Sequence, residues 1–426
     1  MPFIYPFKFM LLYSYQSIIL EVKMNLISKF PALEVRDYRL YWSSQWVALI
    51  GFWMQLTAQQ WLVYEITNSA FLLGVLGAVQ FLPSFIFSLF IGFWIDRHDK
   101  KKILTVTQCM YIIQSVCLGI LILSGHANYY WILFFAFVVG TIDSIDMPTR
   151  LSFLPDIVGK DALHSAISLN STNFNLTRMI GPLLAAFLIN FFPYDIIFFL
   201  NALSIIPVLI AYKKMKAQSS ISTSITKNAT QEIKKGITHA KSKPIILCNL
   251  IALAIVSGLI LNFGSYGPLL ADRVLHAGVN GFGFILFGFG TGSMIGGLIS
   301  AAAKTQLSQK WVFINAILCG LELSAVSYIS NFFISITIFI FMGFSVTLFL
   351  VNCNTAIQIA SNKNYLGRIM SLYTFVYMGS APFGSLFVSS MLESFGTSLG
   401  LFLTGLIDAV FITFLVFFSL KQSINF

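Results

Sequence analysis

The stretch "GTIDSIDMPTR", residues 140–150, sets two carboxylates, Asp143 and Asp146, into an otherwise apolar run. A spacing of three puts both on one face of a helix. A low-dielectric setting disfavours the charged form of a carboxyl group, and a neighbouring cation favours it. Groups held between those opposing effects can take up and release protons. Arg178, in "NLTRMIGPLLAA", is the partner the sequence offers. Two readings of Asp143, Asp146 and Arg178 stay open, a structural clamp between two helices or a proton-coupling site. Glu322 and Asp408 also interrupt apolar runs, and an ionisable residue in such a place is a functional candidate by default.

No enzymatic constellation accompanies these charges. Walker, HExxH and Ser-His-Asp patterns are absent, and no GxGxxG sits in a nucleotide-binding context. His98 lies in a charged loop and the other four histidines lack metal spacing. Cys109, Cys117, Cys248, Cys319 and Cys353 fall inside apolar runs without a CxxC pair and read as small buried hydrophobes. The sequence therefore predicts no enzyme, no cofactor and no metal.

The elements that must position the charges belong to a membrane. Of 426 residues 57% are hydrophobic and 43 are Phe, while 10% are charged against ~25% in soluble domains. The net charge of +10 does not point to nucleic acid, because the basic residues sit in short gaps between apolar runs. A spanning helix needs ~20 mostly apolar residues. Such runs occur at about 40–64, 71–95, 103–124, 129–148, 166–191 and 195–212. Six more follow at about 245–270, 281–303, 311–329, 332–357, 368–391 and 397–420. The expected fold is an all-α integral membrane protein of about twelve transmembrane helices in two six-helix bundles, residues 40–212 and 245–420.

The Ser/Thr-rich stretch 213–244, with eight lysines and one glutamate, reads as a cytoplasmic linker. Segments 1–39 and 421–426 read as cytoplasmic ends, with 1–23 a non-functional extension ahead of Met24. With the N-terminus inside, the outer connections carry one basic residue, Arg273, and Arg178 is the one basic residue within a span. Arg150 is assigned to an inner loop. The positive-inside rule then puts both termini in the cytoplasm and the chain in the cytoplasmic membrane.

The end of the second run, "IGFWIDRHDKKKIL", places seven ionisable residues in a row, from Asp96 to Lys102. It resembles the loop between helices 2 and 3 of the major facilitator superfamily, Gly-x-x-x-Asp-Arg-x-Gly-Arg-Lys/Arg. Gly92, Asp96, Arg97, Lys100 and Lys101 fill its positions, and Asp99 stands where the pattern has its second glycine. "DMPTRLSFLPDIVGKDALHSAISLNSTNFNLTRMIGPLLA" and "GRIMSLYTFVYMGSAPFGSLF" are similar to an exporter branch that includes enterobactin exporters and macrolide efflux proteins. Gly181 and Pro182, in "GPLLAA", resemble the helix-5 kink motif of proton antiporters, with alanines in place of its two closing glycines.

The resemblance implies alternating access of two bundles around a mid-membrane site. It implies export of a small amphipathic molecule, a siderophore or a hydrophobic drug such as a macrolide, by proton antiport. An importer on the same fold and a membrane sensor are the alternatives. The gating motif would be Gly92, Asp96, Arg97, Lys100 and Lys101, with its cations toward membrane lipids. Glu322 and Asp408 would fall on peripheral helices, as hydrogen-bonded packing carboxylates. The cavity-facing helices would present Gln55, Gln59, Asn170, Asn173, Asn352, Tyr373 and Tyr377, an amide and aromatic lining suited to a ring-bearing substrate. The partners expected are that substrate, protons and lipids, with no nucleic acid, around a monomer. Gly288, Gly292 and Gly296, at four-residue steps, predict close helix packing rather than a phosphate loop.

Overall fold

In a computed structural model the described residues are 30–95, 97–219, 236–302, 308–362 and 365–421. Segment 1–23, Asp96 and the middle of the linker lie outside them. After a 3-10 turn at Pro31–Glu34, six helices follow: α1 Arg36–Thr67, α2 Ala70–Ile95, α3 Lys100–Leu123, α4 Tyr129–Val158, α5 Leu163–Ile189 and α6 Tyr194–Lys214. The second set comprises α7 Pro244–Leu259, α8 Phe263–Leu269, α9 Gly278–Ala302, α10 Gln309–Val326, α11 Phe332–Ala360, α12 Leu366–Phe395 and α13 Thr397–Lys421. These make twelve transmembrane segments in two six-helix bundles, because α7 and α8 are the halves of one broken crossing.

Among the described residues nine segments are apolar and long enough by composition to cross a membrane. The three others are α1, α5 and α10, which carry amides and charges that face neighbouring helices. Helical structure suits them all, since every backbone group must be satisfied internally in lipid.

Each bundle has its own aromatic centre. Tyr38, Tyr41, Tyr111, Phe153 and Tyr212 pack together in the first. Tyr266, Phe282, Phe289, Phe339 and Phe349 do so in the second. Helix ends follow local chemistry: α1 stops at Asn68, in the left-handed region at φ 46°, whose N–H reaches Tyr64 O at 2.8 Å. Asp99 caps α3 by accepting from the backbone N–H of Lys101 and Lys102. The residue that departs from the loop pattern thus supplies a helix cap.

Three sequence expectations change. The fourth span continues through Pro148 and Pro155 to Val158, so Arg150 is a helix residue inside the bundle and not part of a loop. Its charge is tolerated there because it finds a carboxylate. The seventh span is interrupted between Leu259 and Phe263 and ends in a π-turn at Leu270–Val274. The freed carbonyl of Ile260 is taken by the Tyr266 hydroxyl at 2.9 Å, which keeps a broken helix affordable in the interior. Cys109 and Cys117 are exposed on the outer face of α3, whereas the other three cysteines are buried.

Candidate functional site

The linker leaves from the end of α6 and enters at α7; this side is called the linker end and the opposite side the far end. Polar contacts join the two bundles at the far end. Glu393 Oε2 of α12 accepts from Ala70 N at 2.9 Å, Phe71 N at 3.2 Å and Ser69 Oγ at 3.4 Å, at the start of α2. The Tyr64 hydroxyl donates to Asp272 at 2.6 Å, and Arg273 Nη2 donates to the side chain and carbonyl of Asn68. Asn190 donates to Asn280 at 2.8 Å. Deeper in, Ser385 Oγ donates to Gly74 O at 2.8 Å.

Small residues make this approach possible. A methyl group on Gly74 would lie 1.8 Å from Ser389 Oγ, and one on Gly283 would lie 2.6 Å from Ala186 Cβ. Gly181 faces the α1 backbone, where a methyl group would lie 2.5 Å from Trp53 Cβ. Pro182 presents its carbonyl to Gly283, and α5 remains one helix through both residues. The Gly-Pro stretch is therefore the point where α5 is held between α1 and α9.

The carboxylates of α4 do not meet Arg178, which corrects the pairing expected from the sequence. Asp146 forms an ion pair with Arg150, one turn along the same helix. Its Oδ1 also accepts from Thr107 Oγ1 at 2.6 Å and Gln108 Nε2 at 2.9 Å, both on α3. Arg150 donates onward to Gln45 Oε1 of α1 at 2.5 Å. Asp143 is engaged by the Tyr111 hydroxyl and has no cation of its own among the described residues. Asp146 thus has a cation in direct contact, whereas Asp143, a turn away, has a hydroxyl donor and feels Arg150 only without contact.

The amides divide in the same way. Gln55 is closed into a network inside the first bundle, donating to Gln114 at 2.9 Å and accepting from Ser115 and Asn201 at 2.7 Å each. Gln59 is buried and points to Ile132 O at 3.5 Å. Asn352 is buried and donates to Leu348 O of its own helix. Asn173 is buried as well. In this conformation Gln55, Gln59 and Asn352 bond within their own bundle, whereas Asn173 Oδ1 is buried with no hydrogen-bond partner among the described residues. A polar stripe on a helix looks the same in sequence whether it faces a sister helix or the other bundle. The amide of α1 that does touch the second bundle is Gln60, against Gly264.

Some of the residues named from the sequence lie near the seam where the bundles meet. Arg178 stands with Phe174 and with Phe289 of α9, its guanidinium carbon 5.9 and 5.5 Å from their ring centres. Tyr373 and Tyr377 of α12 are stacked, with ring centres 6.4 Å apart and planes 8° from parallel. Tyr377 lies within electrostatic range of Arg178. Asn170, partly exposed, accepts from Tyr38 at 3.0 Å.

At the linker end, Lys100 Nζ pairs with Asp156 at 2.9 Å and Lys101 Nζ donates to Met215 O at 2.6 Å. Arg97 is exposed, and Gly92 has nothing near it that a side chain would strike. Asp96 lies outside the described residues. Away from the interface, Glu322 accepts from Ser345 Oγ at 3.0 Å. Asp408, fully buried beside Gly320, has no hydrogen-bond donor among the described residues, unlike the bonded carboxylate expected there.

The sequence profile of the transmembrane secretion effector family matches residues 27–423, and the chain belongs to that family, within the major facilitator superfamily. It is 22% identical over 370 residues to the staphyloferrin A transporter of Staphylococcus aureus (strain NCTC 8325 / PS 47), covering 84% of this chain and 90% of that one. It is 21% identical over 386 residues to macrolide efflux protein A of Streptococcus pyogenes, covering 89% and 95%. A solved bacterial homologue of the human lysosomal transporter Spinster, inward-facing and occupied, superposes with a TM-score of 0.72 at 14% identity, covering 92% of this chain and 97% of that chain. That likeness concerns the fold alone.

Proposed function

We propose that this transporter exports a small amphipathic molecule by proton antiport, through alternating access of the two bundles. The supporting observation is the far-end seal. It joins the bundles through side-chain hydrogen bonds and charged groups laid over apolar contacts such as Trp61 stacked on Phe282. It lies between helices of different bundles, so it can open by a rigid-body movement that leaves the helix contacts within each bundle in place. The substrate classes considered are those named for the relatives, a siderophore or a macrolide-like drug. The chain acts as a monomer in the cytoplasmic membrane with both termini and the linker inside, and no chemical transformation is assigned to it.

Asp143 is the proposed proton carrier. Its neighbour Asp146 is in direct contact with Arg150, whereas Asp143 has a hydroxyl donor and no direct ion pair, so its charge is the easier of the two to neutralise. Asp96 is proposed to hold the linker end closed in the opposite state. Its carboxylate would dock at the N-terminus of α12, with Arg97, Lys100 and Lys101 fixing the loop.

Everted membrane vesicles acidified inside should accumulate the substrate, and cells lacking the protein should retain more of it. Uptake into intact cells driven by an inward proton gradient would favour the importer reading instead.

A further inference from the structure

Arg178 carries a charge near the middle of the 27-residue α5, and no carboxylate pairs with it among the described residues. The ion pairs formed among the described residues are Lys100–Asp156 and Arg150–Asp146, and neither includes it. Its one hydrogen bond, from Nη2 to Asn175 Oδ1, is long at 3.4 Å, and Nε is buried without an acceptor. Most of the five donors of the guanidinium fork are therefore unused. The acids of α4 are engaged elsewhere: Asp143 with Tyr111, Asp146 with Arg150, Thr107 and Gln108.

A guanidinium at this depth is costly unless an anion joins it, and a ring face compensates only part of the loss. The surroundings are aromatic and come from both bundles, with Phe174 on α5, Phe289 on α9, and the Tyr373–Tyr377 stack on α12. Such a frame accepts flat or apolar surface and leaves the fork free to bind two oxygens in one plane.

We infer that Arg178 is the anion-recognition residue of the transport path, and that the substrate presents it with a carboxylate attached to an apolar ring or chain. This inference rests on the transport reading and narrows its substrate class. It favours acidic ligands over the uncharged or cationic drugs that the same aromatic surface would otherwise admit. Bridging α5 of one bundle to α9 and α12 of the other, a bound carboxylate would also link the bundles through its own charge.

The test uses two fluorescent probes that differ in charge alone, dansylglycine and dansylglycinamide. Each is titrated against the full chain in nanodiscs of zwitterionic phosphatidylcholine, so that no anionic headgroup supplies the counter-charge. The wild type should bind the carboxylate about tenfold or more tightly than the amide. Arg178→Gln should erase the preference, and Arg178→Lys should keep part of it. Melting temperature and a monodisperse elution profile show that the variants are folded. Were Arg178→Gln unfolded, the partial preference expected of Arg178→Lys would still decide. The inference is overturned if the wild type does not bind the carboxylate saturably, shows no charge preference, or keeps that preference in Arg178→Gln. Export of an uncharged drug independent of Arg178 would sink the anion assignment and leave the transport reading standing. Charge-selective binding by a protein that moves nothing across vesicles would do the reverse.

Discussion

Glu393 of α12 caps the first turn of α2, its carboxylate accepting the backbone N–H of Ala70 at 2.9 Å. One side chain of the second bundle thus completes a helix of the first. The helix N-terminus favours negative charge, and its first N–H groups have no partner of their own. Because Glu393 is exposed, solvent screens the contact, and its contribution to the far-end seal is about 1 kcal/mol. Glu393→Gln should therefore shift the closed-to-open ratio about fivefold toward opening. Distances between spin labels across the far end would report this as a larger open fraction. An unchanged distribution would mean that the seal is held by Tyr64–Asp272 and Arg273–Asn68 without help from Glu393.

Asp146 and Arg150 behave differently from Asp143. Removing either partner of the Asp146–Arg150 pair leaves an uncompensated buried charge, a loss of about 3–5 kcal/mol. Asp146→Asn and Arg150→Gln should lower the thermal stability of the purified protein sharply. Asp143→Asn removes a carboxylate without a cation and should leave stability near wild type. It should abolish proton-driven efflux while gradient-free exchange of substrate continues. If Asp143→Asn retains pH-dependent efflux, the coupling group is elsewhere, and Asp408, buried without a donor, is the next candidate.

Gln55 tests the division between packing amides and path residues. In the network with Gln114, Ser115 and Asn201, Gln55→Leu removes three buried hydrogen bonds, at about 1 kcal/mol each, although the three partners still bond one another. The expected result is a lower melting temperature with substrate affinity unchanged. A variant of normal stability and weakened binding would return Gln55 to the transport path.

The fold was legible because lipid imposes a coarse signal. Twelve apolar runs, a lysine-rich gap after the sixth and the glycine steps of α9 can all be read without knowing any contact. The site was less legible for a physical reason. The fourth apolar run ends at about residue 148 in the sequence, which leaves Arg150 just beyond it, yet α4 continues to Val158. With Arg150 beyond the run, its pairing one turn away from Asp146 is not visible in the sequence, and Arg178 is the basic residue that a span offers. Gln55 and Gln59 share a stripe with Gln45, and periodicity does not say which neighbour that stripe meets. Glu393 gave no signal, because its partner is a backbone N–H far along the chain.

The glycines of α9 separate stability from conformational balance on a single helix. A methyl group on Gly292 would lie 1.7 Å from the carbonyl oxygen of Ile340, a backbone atom of α11 in the same bundle. Nothing there can yield without parting two helices that stay together in every state, so Gly292→Ala should destabilise the fold by about 1–3 kcal/mol. Gly283 lies two and a half turns earlier and faces α5 of the other bundle, with Ala186 Cβ at 2.6 Å and Pro182 O at 3.1 Å from the position a methyl group would take. Under the proposed alternating access, that contact belongs to the closed far end and is released when the far end opens. Gly283→Ala should therefore penalise the closed state alone and leave both bundles intact. The measurements are a melting curve and the reactivity of a cysteine introduced at Asn190 toward a membrane-impermeant maleimide. Gly292→Ala should lower the melting temperature, with reactivity at Asn190 unchanged in the protein that remains folded. Gly283→Ala should keep the melting temperature and raise the reactivity several-fold, in the same direction as Glu393→Gln. Loss of folding in both variants would mean that the α5–α9 contact is part of a permanent core and that the far end does not open along that seam.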